Sequence, residues 1–186
     1  MSYFTAVLSD TGDSWRARDV DASDAVSLED LADLMRTVSV NGHDTVAVIE
    51  HEDEWFALVR IIGDDDPRVF VSDVHAAAQS KFAEVLADYL NLKAHDFDAD
   101  EESDDEERKS SNGSNGDNED DETQASPVLT LNAPPEWSGD ADLLADRGVD
   151  ATRLCELVVQ HPEDPGQVLT DIGDEVGFGE LLEALR

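Results

Sequence analysis

Three consecutive aspartates, Asp64, Asp65 and Asp66, stand between Gly63 and Pro67 in the stretch "HEDEWFALVRIIGDDDPRVFVSD" (51–73). Carboxylates so grouped serve either acid–base or metal chemistry, or a turn. Catalytic work needs burial or a charged neighbour to move a carboxyl pKa. Here Gly and Asp tolerate turn dihedrals, Pro sets φ after the turn, and alternating apolar segments flank both sides. The spacing predicts a solvated hairpin turn.

Other reactive residue types are scattered. Asp96, Asp98, Asp100 and Glu107 fall at positions one, three, five and twelve of a calcium-loop pattern, but Glu101 occupies the sixth, where the sharp turn needs Gly. Loose cation binding is the most such a run implies. His43, His51, His75, His95 and His161 show neither HxH nor HExxH spacing, so no metal site is expected. Gly177-Phe178-Gly179 begins a GxG without a preceding strand and reads as a helix stop. Cys155 lies on a leucine stripe and reads as packing; a single cysteine also excludes an internal disulfide and a CxxC metal site. No catalytic, cofactor or metal residue is assigned.

Charge narrows the classes of partner. The 186 residues hold 46 acids against 12 bases, a net charge of −34. Such a surface repels phosphate, which disfavours direct nucleic-acid binding and contact with anionic membranes. It favours a basic partner, a saline cytoplasm, or both. The N-terminus "MSYFTAVLSD" has no basic n-region, and no run of about 18 apolar residues occurs, so a cytoplasmic location is expected.

The elements that must position any site divide into three stretches. Residues 1–94 read as an α+β domain, a mostly antiparallel five-stranded sheet with two helices in the order ββαβββα, the helices against one face. "YFTAVL" and "WRARDV" form a hairpin in which Trp15 and Ala17 face the core while Arg16 and Arg18 face solvent. "SLEDLADLMRTV" is a helix capped by Ser27 with Asp30 and stopped at Asn41-Gly42. "TVAVIE", "EWFALVRII" and "RVFVSD" are strands. Asp73 caps a second helix through Ala78, Phe82, Val85, Leu86 and Tyr89. Residues 95–136 read as an acidic disordered linker: 96–126 carries 14 acids, two bases and one aromatic, too little apolar surface to offset ordering. Around the start of 137–186, "NAPPEW" is an extended entry and four short helices follow, marginal alone and expected to dock on the first domain or on a partner.

As a set, "MSYFTAVLSDTGDSWRARDVD", "SLEDLADLMR", "DEWFALVRIIGDDDPRVFVSD", "DADLLADRG" and "GFGELLEALR" resemble the bacterial tRNA adenosine deaminase-associated protein family over about three-quarters of the chain. The resemblance implies a small accessory protein linked to a tRNA adenosine deaminase. The chain cannot be the deaminase itself, whose zinc needs H-x-E and P-C-x-x-C.

The leading expectation is thus a non-enzymatic accessory protein, with no cofactor, that binds the deaminase or another basic protein. Trp15, Trp55 and Phe56 would mark the partner interface wherever they are exposed. In a small enzyme or anionic-ligand-binding domain, Arg16, Arg18, Arg60 and Arg68 would instead converge on a sheet–helix crevice. An acidic nucleic-acid mimic would need carboxylates clustered on one face.

Overall fold

The alternation of apolar residues resolves into a six-stranded antiparallel sheet in the computed structural model, which describes residues 3–39, 43–51, 54–90 and 136–186. The strands are β1 (Tyr3–Asp10), β2 (Trp15–Asp19), β3 (Thr45–His51), β4 (Trp55–Ile61), β5 (Arg68–Val71) and β6 (Ser138–Gly139), in spatial order β2-β1-β3-β4-β5-β6. Central register places Val48 beside both Ala6 and Leu58. The expected five strands are present, and a sixth joins them. β6 lies directly after the supposed extended entry, where Gly139 pairs with Phe70 and Ser138 with Val71.

The two expected helices of the first unit lie against one face, and the C-terminal helices cover the other. Every residue of β3 and β4 is buried, so these strands are enclosed on both sides and need two covers. On one face Val7, Ala47, Ile49, Trp55, Val59 and Val71 meet α1 (Leu28–Val38) and the segment from α2 (Val74–Ala78) to α3 (Ala87–Leu90). On the other, Ala6, Leu8, Val46, Val48, Phe56, Leu58 and Phe70 meet the C-terminal helices. These are α4 (Ala151–Gln160), α5 (Pro165–Val176) and α6 (Gly179–Leu185), preceded by a 3-10 turn at Ala145–Arg147. Leu144, Leu154, Leu157, Val168, Leu169, Ile172 and Leu182 insert from this layer. The C-terminal region docks on the sheet.

Local signals set most boundaries. Ser27 Oγ accepts from the Asp30 amide at 3.1 Å and donates to Asp30 Oδ2 at 2.9 Å, the expected reciprocal cap of α1. Asp150 and Asp164 cap α4 and α5, and Gly177 ends α5 in the left-handed conformation. The expected stop at Asn41-Gly42 lies outside the described residues, as do nearly all of the expected linker and its calcium-like pattern.

One helix departs from expectation. The run from Asp73 to Tyr89 forms two short helices separated by turns. The amides of Gln79 and Ser80 reach back only three residues, to Ala76 and Ala77. Ser80 Oγ donates to the Ala77 carbonyl at 2.7 Å and accepts from the Phe82 amide at 3.1 Å, replacing the helical ladder. Phe82, Val85 and Leu86 stay buried, so the apolar periodicity survives while the helix does not.

Candidate functional site

The "DDDP" turn is solvated. Asp64, Asp65 and Asp66 are all exposed, Gly63 has φ 59°, and the Asp65 amide donates to the Ile62 carbonyl at 3.1 Å. Among the described residues no group of His, Cys, Asp and Glu is arranged to hold a metal ion. His43 and His75 are exposed, and His161 is half-buried. The buried His51 ring stacks on Tyr3 at 4.3 Å and lies 2.7 Å from Glu54 Oε2. Cys155 packs against the sheet–helix core, and burial raises its thiol pKa, keeping it a poor nucleophile.

The four arginines named above do not meet in one crevice. Arg16 and Arg18 stand exposed on β2, at the sheet edge. Arg68 pairs with Asp140 at 2.5 Å beside β6. Arg60 projects from β4 into the layer of C-terminal helices and is 1% exposed. Its Nε and Nη2 donate to the two Asp44 oxygens at 2.8 and 2.6 Å, and Nη2 donates to Asp146 Oδ2 at 2.8 Å. Nη1 donates to Asp146 Oδ1 and, at 2.5 Å, to the Leu143 carbonyl. Burial opposes the charge of Arg60, but the hydrogen bonds to Asp146 and Asp44 outweigh it and raise the pKa. Its donors are spent inside the protein, leaving none for a substrate anion.

Arg147 extends this cluster. Its Nη2 bridges Asp44 and Asp10, at 2.7 Å each, and its guanidinium lies 5.3 Å from the centre of the Trp15 ring. Asp44 and Arg60 belong to the sheet side, whereas Leu143, Asp146 and Arg147 arrive after the chain returns. The cluster is therefore a clasp between layers. A second clasp joins Arg186 to Glu50 at 2.7 Å, with the guanidinium 5.8 Å from the centre of the Phe4 ring.

The three aromatics considered as a partner interface take different places. Trp55 and Phe56 are 0% and 1% exposed, on opposite faces of the sheet, so neither meets the condition of exposure. Trp15 is half-buried, edge-on to Phe178 at 5.5 Å. The more exposed tryptophan is instead Trp137, 42% accessible and stacked on Phe70 at 5.7 Å. Its segment, "PPEWSG", has no periodicity to single it out; the one signal is a large apolar residue near a glycine in a polar stretch.

The clasps also shape the surface charge. Among the described arginines and lysines, Arg36, Arg60, Arg68, Arg147, Arg153 and Arg186 are paired with carboxylates. Lys81 lies over the Tyr3 and Phe82 rings at 4.6 and 5.0 Å. With most of these cations engaged, carboxylates dominate what a partner meets. No described helix is long and apolar enough to cross a membrane.

No curated protein and no solved structure matches the chain. A family model described as Rv3753c-like tRNA adenosine deaminase-associated protein matches residues 3–179, a span that includes every strand of the sheet and the residues of the Arg60 clasp. The chain therefore belongs to the Rv3753c-like tRNA adenosine deaminase-associated protein family.

Proposed function

We propose that the chain is a non-enzymatic accessory protein that binds the tRNA adenosine deaminase, or another basic protein, in the cytoplasm and does not itself contact nucleic acid. One observation carries this reading: most of the described cations are paired with the chain's own carboxylates, which leaves an acidic exterior and an exposed Trp137. That surface repels phosphate and attracts a basic face. The anionic-ligand reading is not favoured, because Arg60 is saturated and Arg16, Arg18 and Arg68 lie apart from it.

In a saline cytoplasm long-range attraction is screened, because the Debye length falls from about 10 Å at 0.1 M salt to about 3 Å at 1 M. Short-range contacts must then hold the complex. The test is a pull-down of the deaminase with the full chain across a potassium chloride titration from about 0.1 M through about 0.5 M to about 1 M, repeated after deletion of residues 96–126. Retention in every condition is expected. Loss by 0.5 M salt, or upon the deletion alone, would favour an acidic mimic of nucleic acid. Adenosine-to-inosine conversion by the pure chain with stoichiometric zinc would overturn the non-enzymatic reading.

A further inference from the structure

A cavity of about 280 Å³ opens on the face of the sheet covered by α1, α2 and α3. It lies between the stretch that leads from β2 to α1 and the turns that join α2 to α3. Tyr3 and Thr5 line it from β1, Val20 and Ala22 from the end of β2 onward, and Lys81 from the turns. Thr5 alternates with Tyr3 and Val7, which pack in the core of this face, so its side chain projects the same way. Thr5 is 6% exposed. Among the described residues, the side-chain atoms both sealed and without a hydrogen-bond partner belong to His51, Trp55 and Ser138. The Thr5 hydroxyl, equally without a partner there, therefore opens onto the cavity it lines. A nearly buried hydroxyl is costly to leave unpaired, and it offers a donor and acceptor sites to an occupant.

Two opposite charges share this space without meeting. Lys81 Nζ lies 4.6 Å from the centre of the Tyr3 ring and 5.0 Å from that of Phe82, and it pairs with no carboxylate among the described residues. The Asp21 carboxylate is fixed by Ser23, whose amide donates to Oδ1 at 2.9 Å and whose hydroxyl donates to the same oxygen. Those bonds, and to a smaller extent the charge of Lys81, hold the Asp21 carboxyl below its ordinary pKa, so it is ionised. A simple anion entering here meets Asp21 and Asp19, and a simple cation meets Lys81. A dipolar molecule satisfies both signs. The Tyr3 and Phe82 rings already carry the Lys81 ammonium, so a quaternary ammonium gains no aromatic face, whereas a primary ammonium can donate to Asp21. The volume falls just below the ~300–1,000 Å³ of drug-sized sites, which suits a small molecule.

We infer that this cavity binds a free α-amino acid as its zwitterion, the carboxylate held by Lys81 Nζ and the Thr5 hydroxyl and the ammonium held by Asp21. The site lies toward the β2 edge of the sheet, away from Trp137 at the β6 edge, and does not depend on the accessory reading.

The test titrates the full chain with L-alanine by heteronuclear NMR, beside acetate, ethylammonium and glycine betaine. Alanine should saturably shift the amides of Thr5, Asp21 and Lys81. Each of the other three should bind about tenfold more weakly, the loss of one charge-assisted contact. Thr5→Val removes the hydroxyl at nearly constant shape. That hydroxyl has no partner to lose, so the melting temperature should hold or rise while alanine binding weakens about tenfold. Lys81→Gln and Asp21→Asn should each weaken alanine by a similar factor, and Lys81→Gln should remove its advantage over ethylammonium. Acetate or ethylammonium binding as tightly as alanine would overturn the inference, as would shifts that do not saturate at these three amides. So would Thr5→Val binding alanine within about twofold of wild type with an unchanged melting profile. Loss of the deaminase pull-down leaves this site standing, and loss of alanine binding leaves the accessory reading standing.

Discussion

Replacing Asp44 by Ala should remove a large fraction of the stability of this protein. Asp44 is 7% exposed and accepts four hydrogen bonds, two from Arg60 and two from Arg147, at 2.6–3.1 Å. Charge-assisted bonds contribute roughly 1.5–3 kcal/mol each, but they do not simply add here. Arg60 keeps Asp146 and Leu143, Arg147 keeps Asp10, and water enters the gap. What remains is a buried guanidinium short of half its counter-charge, a loss that typically costs about 3–5 kcal/mol. Against a total of about 5–15 kcal/mol, that lowers the melting temperature by roughly 10 °C for a chain of this size. Asp146 is the internal control. It touches the same Arg60, yet its side chain is 59% exposed, so solvent replaces it and Asp146→Ala should cost under about 1 kcal/mol. Urea denaturation of both variants measures the two costs. Hydrogen exchange should also show the amides of α4 and α5 losing protection in Asp44→Ala before those of β3. Equal costs for the two variants, or a cost below about 1 kcal/mol for Asp44→Ala, would refute the clasp.

Two further outcomes are expected. The Asp10 carboxyl is held below its ordinary pKa by the Gly12 amide and by Arg147, Asp146 by Arg60, and Asp140 by Arg68. Lowered folded-state values mean their stabilisation is complete above the unfolded carboxyl pKa of about 3.9 and drains as pH falls through the folded values. The urea midpoint should therefore fall steeply below about pH 4, and less steeply in Asp10→Asn; a midpoint constant from about pH 5 to about pH 3 contradicts the pairing. Gly139→Ala forces a Cβ onto the Val69 carbonyl oxygen from a φ of +95°, and should cost about 2–3 kcal/mol while exposing the Asp140 amide, which donates to Val69. A neutral effect there would show that β6 is free to shift.

Whether a feature of this protein can be read from its residues depends on the range of the interaction behind it. Caps and periodicities act over three or four residues, so Ser27 with Asp30, Asp150, and Gly177 mark their helix ends legibly, and "GDDDP" reads as the turn it is. Alternation put Trp15 and Ala17 toward the core and Arg16 and Arg18 toward solvent, as the structure has them. The apolar runs of β3 and β4 carried a sign of two covered faces, but nothing local says what covers the second. That cover arrives only after the chain returns at Glu136, and burial of a shared core is what joins it to β4.

Arg60 shows the same limit. Its place in "WFALVRI" puts it on a strand among apolar neighbours, which is compatible with a ligand site or with an internal ion pair. Its partners decide between the two, and they lie 16 residues away at Asp44 and 86 away at Asp146. Trp137 is similar. It becomes an exposed aromatic only because β6 pairs with β5 and sets its ring on Phe70. Trp55 and Phe56, equally aromatic in sequence, are enclosed by layers drawn from distant parts of the chain. Local hydrogen bonding and side-chain period are written in neighbouring residues. Burial and charge pairing are properties of what the fold brings together.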